Sequence, residues 1–350
     1  NNMEGGCIDK YFYIFIIQEK MIGIYVGTKY TLLISLIKFY DLKSEIIYFL
    51  DKGLKIEKEY LNLKNFKVIF IEEFNNENSL VKKYNRWKFN KILLKNLEKI
   101  GSLYLQDHLS YGQFFLNNFR KHMCLLEDGL MNYNIKILET EQQKKLPKIK
   151  LKNFISKRII EKRKKYYKIY GLSGKIDKIY LTGILPIPDL IKEKVEIINI
   201  EEKWNNLSFE KRKEILDIFN IKLEKLEKLK EDQEKVLLIT QPLSEDGIMP
   251  ENEKIEIYKT LLKERNIKKI YIKPHPREKT DYEKEFKEFN IVLLGKEFPI
   301  EIFMLLDMNF KKVITLFSTA ALNFKHKYQI EFIGTKNYPK LYEKFGNIEI

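Results

Sequence analysis

Cysteine is nearly absent: Cys7 and Cys124 are the two in 350 residues. Two thiols make no disulfide framework, which fits a reducing compartment or a protein indifferent to thiol chemistry. Histidine numbers four and tryptophan two. The chain lacks a P-loop and the patterns GxGxxG, HExxH, CxxC and GxSxG, which disfavours NAD-linked redox chemistry, zinc hydrolysis and serine hydrolysis. It also lacks any Asp-x-Asp triplet, so a metal-dependent sugar transferase of the single-domain kind is not expected, and neither metal nor cofactor is. No apolar run approaches the ~18 residues of a membrane span. The longest near the start, 11–17, is too short for a comfortable signal-peptide core and no small-residue cleavage site follows it. The expectation is a cytoplasmic protein.

Acidic residues are the minority charge. Lys and Arg total 64 against 49 Asp and Glu, a net charge of +15. That surplus favours polyanionic partners without choosing among nucleic acid, an anionic membrane surface and phosphate-bearing substrates. Apolar residues make up 44%, enough for two ordinary cores, and the length implies roughly two domains at ~150 residues each.

Residues 1–20 follow no clean pattern and read as a non-native or disordered extension. Residues 22–26 are a good buried strand. Further strands fit 46–50, 67–71, 103–105, 123–126 and 179–181, with helices at 30–40, 79–99 and 113–120. A charge-rich helical stretch at 210–235 makes a natural boundary, giving domains at 21–230 and 231–350. Beyond it, apolar runs at 235–239, 267–272, 291–294, 313–317 and 329–333 alternate with helical patterns at 253–265, 281–289 and 299–306, and Ser318 starts another helix. Short continuous apolar strands alternating with helices signify a parallel sheet covered on both faces. The fold class is therefore α/β, with two Rossmann-type doubly wound domains in series and a ligand between them.

One segment is unusually basic. Between Lys144 and Lys168 stand twelve Lys or Arg and one acid, Glu161. Leu151, Phe154, Ile155, Ile159 and Ile160 recur among them at helical spacings, the pattern of a peripheral contact with an anionic membrane. A solvated helix packing its apolar stripe on the core is about as good a reading. Nucleic acid is not expected, because no zinc pattern, RNP-like strand or helix-turn-helix accompanies the charge.

In an open parallel sheet, ligands bind beyond the carboxyl ends of the strands. After 267–272 comes Lys273-Pro274-His275-Pro276-Arg277-Glu278, a histidine held between two prolines with a cation on each side, suited to meeting a phosphate. After 313–317 comes Ser318-Thr319-Ala320-Ala321, two hydroxyls at a helix opening that bind an anion or merely cap the helix. Glu301, in a first helical turn facing the same crevice, can accept from a ribose or simply complement the helix dipole. Two acidic triplets, Glu127-Asp128-Gly129 and Glu245-Asp246-Gly247, follow strands and offer carboxylates as a general base; each is also an ordinary acidic turn. Asp107-His108 follows another strand, where a histidine without a ligand role is the better reading.

Taken together, Leu126-Glu127-Asp128-Gly129, Lys273-Pro274-His275-Pro276-Arg277 and Phe317-Ser318-Thr319-Ala320-Ala321-Leu322 resemble the acidic-Gly, His-Pro and Ser-Ser/Thr motifs of bacterial sialyltransferases, most closely glycosyltransferase family 52. The resemblance spans about 22–332 and implies a GT-B-like pair of domains facing a cleft. It implies a metal-independent, inverting transfer of sialic acid from CMP-sialic acid to a galactose-terminated surface glycan, lipooligosaccharide or capsule. By that analogy His275 meets the CMP phosphate, Ser318 and Thr319 hold its oxygens, Lys273 and Pro274 line the donor pocket and Glu301 holds the ribose. The base is then Glu127 with Asp128 beside it, or an acid after the first strand of the second domain, where Asp246 stands. Competing readings are a polysialyl- or Kdo-type transferase, another nucleotide-sugar transferase, or a non-catalytic glycan- or nucleic-acid-binding protein. A homodimer is a reasonable default.

Overall fold

The computed structural model describes residues 21–56, 66–71, 80–109, 111–145, 167–231 and 235–349. The 1–20 extension and most of the basic segment (146–166) fall outside them. Strands β1 (Ile22–Val26), β2 (Ile46–Asp51), β3 (Phe66–Ile71), β4 (Ser102–Leu105), β5 (His122–Leu126), β6 (Lys178–Leu181) and β7 (Val195–Ile197) form one sheet. Its order is β3-β2-β1-β4-β5-β6-β7, with every pair parallel. A second parallel sheet contains β8 (Lys235–Ile239), β9 (Lys269–Lys273), β10 (Asn290–Leu293), β11 (Phe310–Thr315) and β12 (Gln329–Phe332), in the order β10-β9-β8-β11-β12. This is the expected pair of doubly wound α/β domains.

The strand order reverses between β1 and β4 in the first sheet and between β8 and β11 in the second. At such switch points the loops leaving adjacent strands diverge and open a crevice at the carboxyl edge. The loops that matter for function are therefore those after β1, β4, β5, β8, β9 and β11.

The two sheets share a core. One apolar cluster runs from Ile24 and Leu36 through Trp204 and Phe219 to Leu237 and Phe310. Helices Ile200–Asn206, Phe209–Ile218 and Leu223–Lys230 supply its middle. The last two lie where one long helix at 210–235 was expected. The break comes at Asn220, which adopts φ 54°. Its N–H bonds to the Asp217 carbonyl and that of Ile221 to the Leu216 carbonyl, a helix stop that uses Asn where glycine is commoner.

Other departures have local causes. β7 is a three-residue edge strand, too short to leave a periodic signature. β11 begins earlier than the apolar run 313–317 because Phe310 pairs with Lys235 across a bulge, and it ends at Thr315, releasing 316–317 into the site loop. The helix expected at 281–289 shrinks to Tyr282–Glu285. The helix after Ser318 is a 3-10 helix, Thr319–Phe324.

Candidate active site

The first domain presents its chemistry on the loops after β1, β4 and β5. Gln106, buried after β4, accepts from the Gly27 N–H through Oε1 (2.7 Å) and donates to Thr31 through Nε2, tying the loops on either side of the switch point. Thr28 caps the helix Lys29–Phe39 by accepting from the Thr31 N–H. The same Thr28 hydroxyl donates to Asp128 Oδ1 (2.5 Å), and Thr31 Oγ1 lies 3.3 Å from that oxygen. Asp128 Oδ2 faces His108 Nε2 at 3.1 Å, with side chains 10% and 21% exposed respectively. Gly129 follows at φ 78° and ψ −149°, a conformation essentially restricted to glycine. It turns the chain sharply after Asp128.

Glu127 and Asp128 are neighbours with different environments. Glu127 is buried, and its carboxylate accepts from Tyr30 OH (2.6 Å), Tyr133 OH (2.8 Å), the Thr182 N–H (2.5 Å) and Thr182 Oγ1 (2.9 and 3.0 Å). Burial pushes its pKa up while those donors oppose the shift. A carboxylate enclosed in this way joins β5, β6 and two helices. Asp128, held on one oxygen by hydroxyls and on the other by an imidazole, keeps an edge toward solvent and is the better placed of the two to take a proton. His108, for which the residue pattern favoured no ligand role, is its partner. Asp107 turns inward and accepts from the Tyr170 and Gly171 N–H groups, 2.8 Å each; burial pushes its pKa up to about 6.

In the second domain, Lys273-Pro274-His275-Pro276-Arg277-Glu278 leaves β9 as a turn closed by the Glu278 N–H on the His275 carbonyl (3.0 Å). The buried Glu278 side chain organises that turn. It accepts from the His275 N–H (2.6 Å), Thr240 Oγ1 (2.6 Å) and Tyr282 OH (2.7 Å), and it lies 3.6 Å from Lys254 Nζ. Lys254 is itself buried and bonds Thr280 Oγ1 (2.6 Å) and pairs with Glu245 (3.2 Å) and Glu251 (3.0 Å). His275 Nδ1 accepts from the Arg277 N–H at 3.2 Å. The neutral tautomer must then carry its proton on Nε2. Burial, followed by the Arg277 charge, lowers the imidazole pKa, which keeps that neutral form dominant.

Neither Glu278 nor Lys254 stood out in the residue pattern. Replacing Glu278 with Ala leaves three donors without their acceptor and removes one of the three carboxylates around Lys254. The expected cost is about 3 kcal/mol, read as a fall of several degrees in melting temperature together with loss of donor-site binding.

Asp246 engages Arg277 through both oxygens, at 2.5 and 3.1 Å. That pair ties the Asp246 carboxylate to the outer side of the His275 turn. Ser318 follows β11, with its N–H on Thr315 Oγ1 (3.0 Å). The Phe317 N–H bonds Gln241 Oε1 (3.2 Å), which links the loops on either side of the second switch point. A six-residue 3-10 helix carries little dipole, so what this loop offers an anion is the Ser318 and Thr319 hydroxyls rather than a helix terminus.

Two groups in this crevice are electrostatically unusual. Glu301 accepts from Asn323 Nδ2 (2.8 Å), and burial pushes its pKa up to about 7. Lys273 is buried with its ammonium 4.9 Å from the centre of the Phe298 ring, and burial lowers its pKa to about 8, with Glu297 and Glu301 opposing. Glu301 is also within electrostatic range of Glu127 and Tyr30, and Lys29 donates to the Glu297 carbonyl. The Glu297 and Glu301 side of the second domain thus meets the Lys29, Tyr30 and Glu127 side of the first. Among the described residues no cluster of three or more His, Cys, Asp or Glu side chains has the arrangement of a metal site.

Comparison with known proteins bears on the family and the fold. The family model "Glycosyltransferase family 52" matches residues 42–337. A Haemophilus influenzae protein, itself described only as "Uncharacterized protein", is 40% identical over 259 residues, covering 73% of this chain and 76% of that protein. The fold is similar to that of the α/β-galactoside α-2,3-sialyltransferase of Photobacterium phosphoreum, with TM-score 0.59, 14% identity and coverage of 90% of both chains. It is also similar to the 2,6-sialyltransferase of Photobacterium sp. JT-ISH-224, solved with CMP and lactose: TM-score 0.56, 12% identity, 89% of this chain and 71% of that one. The GT-B domain of a Photobacterium damselae sialyltransferase gives TM-score 0.55 at 14% identity over 87% and 88% of the two chains. The chain belongs to glycosyltransferase family 52.

Proposed function

We propose that this glycosyltransferase moves sialic acid from CMP-sialic acid to a galactoside hydroxyl, with inversion and without a metal. The observation that carries the reading is the division of labour across the cleft: a hydroxyl-held carboxylate, Asp128, on one side and an imidazole with its Nε2–H outward, His275, on the other. Asp128 takes the acceptor proton as the acceptor oxygen bonds to the anomeric carbon. The bond from that carbon to the phosphate oxygen breaks, its electron pair leaving with CMP. His275 Nε2–H, Lys273 and the Ser318 and Thr319 hydroxyls meet the charge that develops on the phosphate. Glu301 accepts from the ribose, and Pro274 helps to form the wall of the base pocket. Glu127 acts through its scaffold rather than on substrate, and Asp246 through Arg277 on the His275 turn. The fold shared with a sialyltransferase solved with CMP and lactose supports this choice over UDP- or GDP-sugar donors.

Titration with CMP, UMP and GMP tests the donor class. CMP at a hundredfold its Kd stabilises the protein by about 2.7 kcal/mol, and UMP and GMP do not. Stabilisation by UMP or GMP in place of CMP refutes the donor assignment. The affinity has a definite pH dependence. Glu301 is raised to about 7 and is charged only above that pH, whereas Lys273 is lowered to about 8 and is charged only below it. CMP affinity therefore falls on the acid side as Glu301 protonates and on the alkaline side as Lys273 neutralises. Glu301→Gln flattens the acid limb and Lys273→Met the alkaline limb, each read against the wild type so that the titration of CMP itself cancels.

A further inference from the structure

The helix Leu80–Lys99 lies on the outside of the first sheet, and its two halves differ. Leu93 and Leu97 are buried in the core beneath it, with Phe89 and Leu94 packed alongside. The opposite face of the first turns is apolar and uncovered: Leu80 is 82% exposed, Val81 68%, Tyr84 59% and Trp87 46%. Leu80, Tyr84 and Trp87 are spaced i, i+4, i+7 and form one stripe. Lys88, Lys91 and Lys95 are exposed on the same side, and Lys91 Nζ sits 3.8 Å from the centre of the Trp87 ring.

Packing among the described residues does not account for four large side chains exposed at the start of one helix. Their mixture selects the partner. Trp and Tyr favour the boundary between hydrocarbon and water, Leu and Val gain from burial just below it, and lysines reach up to anionic headgroups. Topology adds a second argument. The 20-residue helix is about 30 Å long, while the six-residue β3 before it spans about 20 Å. In a parallel sheet the following helix runs back from the carboxyl edge, so its first turns stand at the edge that carries Asp128 and His108.

We propose that the N-terminal half of this helix docks the protein on an anionic lipid surface, presenting the cleft edge of the first domain to acceptors held in that surface. In the basic 144–168 segment, Lys144 pairs with Glu141 at 3.3 Å and Lys168 donates to the Gln142 carbonyl, so the proposal does not draw on those two lysines. The proposal does not depend on which nucleotide sugar is the donor.

The test uses the full chain and vesicles of phosphatidylcholine with or without about a third phosphatidylglycerol. The protein floats with the anionic vesicles and not with the neutral ones, and high salt releases it. Trp87 and Trp204 are the chain's two tryptophans, and Trp204 is buried, so the emission blue shift on binding reports Trp87 and is absent in Trp87→Phe. Lys88→Ala/Lys91→Ala/Lys95→Ala weakens partitioning about fivefold per charge, roughly a hundredfold in all. Leu80→Ser/Tyr84→Ser/Trp87→Ser abolishes it. Both triple variants keep the wild-type melting temperature and the activity on a soluble acceptor. Equal binding to neutral and anionic vesicles, or vesicle binding unchanged in both variants, overturns the proposal. So does a wild-type dimer that the Ser variant dissociates, because the face is then a protein interface. Retention of RNA in place of vesicles overturns it as well.

Discussion

Asp128→Asn lowers kcat about a thousandfold and leaves the melting temperature and the affinity for CMP near wild type. The loss corresponds to about 4 kcal/mol of transition-state stabilisation, within the range for removing a positioned general base. Asn is the informative replacement because it keeps an acceptor for the Thr28 and Thr31 hydroxyls while losing the capacity to take a proton. Glu127→Gln is the companion. Its amide nitrogen has to face either the Tyr30 hydroxyl or the Tyr133 hydroxyl together with the Thr182 N–H, so it costs about 1–3 kcal/mol of stability and its folded fraction retains turnover. A reversal, with Glu127→Gln stable and inactive and Asp128→Asn active, assigns the proton transfer to Glu127. His108→Ala gives an intermediate loss by freeing the Asp128 carboxylate to rotate.

His275→Ala lowers kcat about a hundredfold to a thousandfold, the magnitude found for deleting one donor to a developing oxyanion. Stability changes little, because the half-buried ring accepts a single backbone hydrogen bond, from Arg277. The pH profile carries the sharper information. The imidazole pKa is lowered by burial and by the Arg277 charge, so in the free enzyme the ring is already neutral at pH 7. The loss in kcat/KM is accordingly the same from about pH 7 to about pH 8. A loss that shrinks as pH rises through neutrality indicates instead that the wild type uses the imidazolium. Arg277→Ala distinguishes positioning from charge: it removes the Asp246 ion pair but not the Arg277 N–H, so the tautomer and most of the rate survive.

Those two residues also illustrate what is readable before any coordinates. His275 is legible because two prolines and the end of an apolar strand define both its rigidity and its place at the ligand edge. Asp128 is visible as one of two adjacent acids, but composition cannot say which of them turns inward. That decision comes from Tyr30, Tyr133 and Thr182, which lie 97, 6 and 55 positions away and meet at Glu127 only after the sheet has ordered β5 beside β6. His108 follows β4, the other neighbour of β5. Its place at a strand end is visible in the sequence, but its pairing with Asp128, 20 positions on, is not. Lys254 lay beyond reach for a different reason. A lysine in an amphipathic helix ordinarily faces water, and only the convergence of Glu245, Glu251 and Glu278 makes its burial tolerable. The alternation of apolar runs and helices was enough for both sheets, because strands buried on both faces leave a continuous signal, whereas the three-residue edge strand β7 leaves none.

The most direct test of the central claim is product formation from defined donors. The purified chain is incubated with CMP-sialic acid, UDP-galactose or GDP-mannose, each with lactose as acceptor and a chelator present. Sialylated lactose should appear only with CMP-sialic acid, in the wild type and not in Asp128→Asn. Transfer from UDP-galactose or GDP-mannose with none from CMP-sialic acid would contradict the account, leaving the family and the fold in place but assigning the cleft to a different sugar.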